Sequence, residues 1–344
     1  MRIVISLFIS AFLISCNPNK TNIKKKDKTN KQNDFVIAFG SCNNQFLKND
    51  LWPEIEKNQP NIYIWGGDII YADTHNMKLM DSYYEMVKNN DDYKNFRNMV
   101  PVIGTWDDHD FGVNDGGAEF IKKDSAQQLL LDFLDVGPND IRRKRKGVYH
   151  SQIFNVGEKN IKIIVLDTRY FRTPLTEDPT GGKRYVPNPT NTGTMLGEEQ
   201  WLWLEKELLN TSADFNIIVS SIQFLSYEHG FETWGNMPHE VEKLKDIIVN
   251  SKAKNIIFLS GDRHISEISS TKITGLIYPL YDFTSSGLTH TYEEFISEPN
   301  QYRVSKVIKE KNFGILKFDL KTNTVNMEIR GLQNKLLESV TQKY

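Results

Sequence analysis

Four short clusters in this sequence gather side chains that bind cations and move protons. Gly40-Ser41-Cys42 offers a thiol, and Gly66-Gly67-Asp68 a carboxylate followed by Tyr71 and Asp73. Trp106-Asp107-Asp108-His109-Asp110 sets three carboxylates around an imidazole, and Ser260-Gly261-Asp262-Arg263-His264 adds a carboxylate, a guanidinium and a second imidazole. Taken singly, an Asp after a strand caps a loop more often than it binds a metal. Taken together, the clusters supply what a multinuclear hydrolytic site requires: a carboxylate shared between two cations, further hard oxygen ligands, and a soft or imidazole ligand. Such a site binds a phosphoryl oxygen, lowers the pKa of a coordinated water and neutralises charge in the transition state. His109 is the candidate general acid, because neighbouring carboxylates favour its charged form and a leaving oxygen needs a proton.

These clusters need a scaffold that brings them to one rim. Each follows a short run rich in Ile, Val and Phe, the pattern of a central strand covered on both faces. Such runs occur at 34–40, 61–68, 100–110, 162–168, 215–223 and 254–262, with amphipathic helical patterns at 77–98, 118–134, 197–209 and 238–250. The class is α/β, and open α/β sheets place ligands at the carboxyl ends of their strands. Beyond 262 the texture becomes β-rich, which predicts a second sheet completing a sandwich within one domain. The stretch 170–195, rich in Pro, Gly and Thr, predicts a long functional loop.

At the cluster residues the sequence resembles the alkaline phosphatase D (PhoD-like) branch of the calcineurin-like metallophosphoesterases. The matching motifs are Gly-Ser-Cys at 40–42, Gly-Asp-x-x-Tyr at 67–71 and Trp-Asp-Asp-His-Asp-Phe-Gly-x-Asn-Asp at 106–115. Leu-Asp-Thr-Arg at 166–169, Leu-Gly-x-x-Gln-x-x-Trp-Leu at 196–204 and Gly-Asp-Arg-His at 261–264 follow in family order. The resemblance implies a four-layered α/β/β/α sandwich of two mixed sheets, metallophosphoesterase-like, that hydrolyses phosphoesters. It also implies that Cys42, Asp68, Tyr71 and His264 hold iron (Fe3+), with calcium (Ca2+) or another divalent ion on Asp68, Asp108 and Asp262. The ligand role of Tyr71 comes from the resemblance alone; by position it would be a core residue. Ile69 follows Asp68, so this motif offers no arginine to the phosphate. Arg263 is therefore assigned to catalysis and substrate binding, with Arg169 and Asn114 as further substrate contacts. Only a short segment precedes Gly-Ser-Cys, which reads as a compact version of the family.

Other candidates have plainer readings. His75 and His229 read as surface polar residues of loops on the active face, and Asp115 and Gln223 as near-site residues. Trp201 and Trp203 read as packing. The run Arg142-Arg143-Lys144-Arg145-Lys146 reads as a solvated loop, because no aromatics interleave it and the body is acidic.

The chain has 344 residues, 39% hydrophobic and 11% aromatic, enough to bury a sizeable core and exclude global disorder. Residues 1–15 read as a signal peptide, with Arg2 before an apolar run too short to span a bilayer. Leu13-Ile14-Ser15-Cys16 resembles a bacterial lipobox, implying lipidation of Cys16 and an exported lipoprotein of the outer membrane or cell surface. Residues 16–34 read as a flexible, Lys-rich tether from that membrane anchor, and 35–344 as one PhoD-like domain. Setting aside Arg2 and the charges of the tether leaves 35 basic against 42 acidic residues. An acidic body argues against a nuclease or other nucleic-acid partner. With Cys16 spent on lipid, Cys42 has no disulfide partner. The expected protein is a monomeric, exported, metal-dependent hydrolase of small phosphate mono- or diesters that scavenges phosphate. The alternative is a surface lipoprotein that binds metal or glycan on a degenerate phosphatase scaffold.

Overall fold

The structure is a computed structural model, and it describes residues 20–22, 34–251 and 253–344. The expected leader, Cys16 and most of the tether lie outside the described residues. Lys20–Asn22 form a short strand parallel to 153–155, so this part of the expected free tether is laid on a sheet edge. An edge offers unpaired backbone groups to such an addition.

Two mixed sheets face each other. The first runs Leu336–Lys343, Thr324–Gly331, Asn312–Asp319, Phe35–Gly40, Ile62–Gly66, Val102–Thr105, and the last three of these strands are mutually parallel. The second runs Lys20–Asn22, His150–Val156, Lys159–Val165, Phe215–Val219, Ile256–Ser260, Leu280–Ser285, Ser266–Thr271. Here the structure departs from the expected division. The β-rich end does not form its own sheet: 266–271 and 280–285 join one sheet, and the last three strands join the other. The six apolar runs between 34 and 262 are likewise split three and three. Runs buried on both faces look alike in sequence, and only long-range pairings such as Ala38 with Ile315 decide the sheet.

The period-two alternation of strands builds the layers. Ile37, Phe39 and Ile64 point between the sheets and meet Ile163, Val165, Ile217 and Leu259. The alternate residues Val36, Ala38, Tyr63 and Trp65 face outward onto Met77–Lys88, Asp91–Met99 and Lys123–Phe133, through Tyr84, Tyr93, Phe96 and Phe133. On the far side Ile164, Ile218 and Phe258 meet Leu204 and Leu208 of Gly197–Leu209, and Leu244 and Ile248 of Pro238–Ser251. The order is helix, sheet, sheet, helix: the expected four-layered sandwich. The expected helix at 77–98 is two helices, because the Asn90 side chain accepts from the Tyr93 N–H at 3.1 Å and starts a new one. The strand read at 100–110 stops at Thr105, and Asp108–Phe111 form a helical turn.

Candidate metal centre

Four strands end at one rim, three from the first sheet and Ile256–Ser260 from the second. The chain must turn sharply there, and it does so in the left-handed region. Cys42 (φ 61°), Asp68 (51°), Asp262 (69°) and His264 (53°) all lie in it, as do Asp73 (40°) and Asp115 (51°). Non-glycine residues rarely adopt this conformation and pay about 1–3 kcal/mol each, which clusters such residues at functional sites. Gly67 (φ 98°) permits the closest approach: a Cβ there would sit 2.5 Å from that of Asp107.

The turns bring the clusters together in three overlapping triads: Cys42, Asp68 and His264; Asp68, Asp108 and His109; Asp107, Asp108 and Asp262. Within each, one ligand atom per residue lies within 4.8 Å of the others. Asp68 Oδ2 lies 3.4 Å from Cys42 Sγ and 3.2 Å from the Tyr71 hydroxyl, which is itself 2.9 Å from His264 Nε2. Tyr71 is thus at the first triad, not in the core. The buried atoms Asp68 Oδ1 and Asp107 Oδ2 have no hydrogen-bond partner. A buried carboxylate oxygen left so is costly, and a cation relieves the cost. A thiol, an imidazole, a phenol and shared carboxylates around such atoms fit bound divalent metals.

Charge is distributed unevenly here. Burial first, then Cys42 and Asp108, push the Asp68 carboxyl well above its usual range. Burial also opposes the charge of Asp108, but Arg169, His109 and the N–H groups of Asp115 (2.7 Å) and His109 (3.0 Å) outweigh it, down to about 2. Burial pushes the Cys42 thiol up to about 11, the state a cation would reverse. His109 Nδ1 lies 2.7 Å from Asp73 Oδ2. Burial favours its neutral ring, yet that bond and the charges of Asp68 and Asp108 push it up to about 10.

Neighbouring groups brace the ligands. Asp110 accepts from the N–H groups of Asp107 (2.6 Å), Ile69 (3.0 Å) and Asp68 (3.2 Å), holding two loops together. The Ser286 hydroxyl accepts from the His264 N–H at 2.7 Å and lies 2.9 Å from Cys42 Sγ. His290 stacks edge-on against His264.

A cavity of about 440 Å³ opens over this floor, lined among others by Asp108, His109, Asn114, Arg184, Asp262 and Arg263. Asn114 is exposed at it. Arg263 faces it while donating to both oxygens of Glu298, at 2.8 and 2.9 Å. Arg169 is a correction: it is fully buried, bound to Asp107 and Glu232, and reaches no substrate. Gln223 is another, because its amide is spent on Glu267 and Thr284 at 3.0 and 2.9 Å. His229 is not a surface residue; it is half-buried and accepts from the Phe231 N–H at 3.1 Å. His75 is exposed against Phe120. The basic run is solvated at Lys144 and Lys146 only, for Arg142 grips Asp140, Arg143 reaches Val136 O, and Arg145 covers the Tyr149 ring. Trp201 packs as expected and donates to Glu240 at 2.8 Å. Sequence reasoning passed over Arg184, Ser286, His290 and Glu298. Only Arg184 carried a signal, its place in the long 170–195 loop.

A family model described as PhoD-like phosphatase matches residues 37–328. Alkaline phosphatase D of Bacillus subtilis is 26% identical over 225 residues, which cover 54% of this chain and 36% of that protein. The matched region thus spans about a third of the relative's length. A solved structure of PhoD superposes with a TM-score of 0.70 at 18% identity, over 90% of this chain and 69% of the other. A dimetal phosphatase from Danio rerio superposes with a TM-score of 0.53 at 14% identity, over 91% of this chain and all of the other. At these identities the two structures share the fold.

Proposed function

Because this chain belongs to the PhoD-like phosphatase family, we propose that it is a metal-dependent hydrolase of phosphate mono- or diesters. The observation that carries the reading is the overlap of three ligand triads on Asp68 and Asp108, beneath a cavity of substrate size. Cys42, Asp68, Tyr71 and His264 would hold iron, and Asp68, Asp108 and Asp262 calcium or another divalent ion. Bound there, such ions polarise a phosphoryl oxygen and lower the pKa of water.

The chain's own residues do the rest. His109 donates a proton to the leaving oxygen, and Asp73 orients its ring through Nδ1. Arg263 contributes a fixed positive charge at the cavity wall, and Asn114 a neutral donor at the rim. The purified protein is expected to hydrolyse 4-nitrophenyl phosphate or bis(4-nitrophenyl) phosphate, to lose that turnover to a chelator and regain it with metal. A protein that retains metal without turnover on either ester contradicts the reading and favours the metal- or glycan-binding alternative.

The cellular part of the proposal is an exported lipoprotein, anchored through Cys16, that scavenges phosphate. The Leu13–Cys16 motif and the Lys-rich stretch behind it support this. Cys16→Ala should release the protein from membranes with its specific activity intact. Retention on membranes after a high-salt wash contradicts lipidation.

A further inference from the structure

We propose that Arg184 is the phosphate-recognising side chain of this cavity, a specificity determinant held in place by Asp115. The inference rests on the phosphoesterase reading above and deepens it. Among the described residues four guanidinium groups stand near the carboxylate floor, and they differ in what remains free to bind. Arg172, held by Glu232 and the Asp115 carbonyl, is fully buried. Arg169 is sealed in the interior. Arg263 is tethered through Nη2 alone to both oxygens of Glu298, with the Phe231 ring 4.1 Å from its guanidinium carbon and its Nε unpartnered, and it is 8% exposed. Arg184 lines the same cavity with 49% of its side chain exposed, one nitrogen 2.5 Å from Asp115 Oδ2. A guanidinium carries five N–H donors in one plane, so one oxygen of Asp115 and the Tyr185 hydroxyl still leave donors for a phosphoryl group.

The backbone places this side chain firmly. Arg184 precedes Tyr185–Val186, which pairs with Thr176–Glu177 in a small hairpin. The N–H groups of Arg184 and Tyr185 both donate to Gly230 O, at 3.1 and 2.9 Å, tying the hairpin to the segment that carries Phe231 and Glu232. Asp115 completes the link to the floor. Its N–H donates to Asp108 Oδ2 at 2.7 Å, its Oδ2 accepts from the Tyr185 hydroxyl at 2.8 Å, and its carbonyl accepts from Arg172. One residue therefore registers the guanidinium against both a proposed ligand and the neighbouring proposed acid, His109. An anion over Asp108 meets a cation at a fixed place. Because Arg184 is half in water, it can share its donors with a ligand without the desolvation cost that a sealed ion pair would carry.

The chemistry selects the ligand. A planar fork pairs bidentately with phosphate oxygens, whereas an ammonium does not. A monoester presents more charge and more terminal oxygens than a diester, so Arg184 favours monoesters.

The test compares wild type, Arg184→Ala, Arg184→Lys and Lys183→Ala, all metal-loaded. The measurements are metal content, calorimetric titration with inorganic phosphate, and kinetics on the two nitrophenyl esters. Arg184→Ala should weaken phosphate binding on the order of 10- to 100-fold, the worth of a charge-assisted bond pair. It should raise KM for the monoester in proportion, affect the diester less, and leave kcat and metal content near wild type. Arg184→Lys should recover only part of the loss. Lys183→Ala should match wild type, because that side chain points to Glu228 O. Unchanged phosphate affinity in Arg184→Ala overturns the proposal, and so does loss of metal, which would mean that Arg184 acts on Asp108 through Asp115. A wild type that binds phosphate through Arg184 without hydrolysing either ester would keep this inference and sink the phosphoesterase reading.

Discussion

Asp107 and Asp108 are neighbours in the chain and share one triad, yet only Asp107 is gripped by a guanidinium. Asp107 enters a sealed cluster with Arg169, Glu232 and Arg172, where guanidinium groups answer carboxylates at no exposure to solvent. Asp108 joins Asp68 and Asp262, a group of carboxylates without a guanidinium bonded to any of them among the described residues. Burial pushes Asp68 and Asp262 well up and Asp107 to about 7 even beside Arg169, whereas, against burial, the charges of Arg169 and His109 hold Asp108 down to about 2. The contrast separates a carboxylate oxygen spent on a guanidinium, such as Asp107 Oδ1, from those left for a metal. The protein supplies its own cations where it wants rigidity, and leaves anions unanswered where a metal belongs.

The comparison can be broken at several points. The largest effect is expected at the shared ligand. Asp68→Asn should cut turnover of both nitrophenyl esters by at least about 10³-fold, since it removes the carboxylate common to two triads. Activity within tenfold of wild type would make Asp68 structural. His109→Ala should cost about 10²–10⁴-fold in kcat on alkyl phosphates, the typical worth of acid catalysis. The loss should be much smaller on nitrophenyl esters, whose leaving group needs no proton; equal losses on both would rule out the acid role. In the sealed region, Arg169→Ala should destabilise the fold by about 3–5 kcal/mol in denaturant unfolding, because it strands the buried Asp107 and leaves Glu232 with Arg172 alone. A variant of unchanged stability but weaker phosphate binding would return Arg169 to the substrate.

The smallest effect is a pH slope. In the metal-free protein, burial raises Asp110 to about 8, and the bond to Asp73 with the carboxylates nearby raises His109, against burial, to about 10. Between pH 7 and 9 the folded state therefore holds protons that the unfolded chain has released, so stability must fall as pH rises. Thermal unfolding of chelated protein should show Tm dropping from pH 7 to pH 9, and added metal should flatten the slope. A Tm that rises over that range in the chelated protein contradicts the charge distribution described.

Much of this site was legible before the fold. Cys42, Asp68, Asp108, Asp262 and His264 each follow a strand within a few residues, so motif and periodicity together located them. The division of the strands between sheets was not legible, because Phe35–Gly40 and Phe215–Val219 are equally apolar and only pairing partners far along the chain separate them. Arg169 was misread for a related reason. Its motif placed it near the site, but the burial that commits it to Asp107 comes from Glu232, 63 residues away. Arg184 and Glu298 lie in loops whose composition carries no code for what they face. Side chains set by local backbone were readable; those set by distant partners were not.

The central claim is that the unanswered carboxylates are metal ligands. Metal content per chain, measured by plasma mass spectrometry on wild type, Asp68→Asn and Cys42→Ser after equal dialysis, tests it most directly. The account predicts at least two equivalents in wild type, loss of most metal in Asp68→Asn, and loss of the thiolate-held ion alone in Cys42→Ser. Wild-type protein that carries no stoichiometric metal, or an Asp68→Asn variant that keeps the full complement, would contradict it.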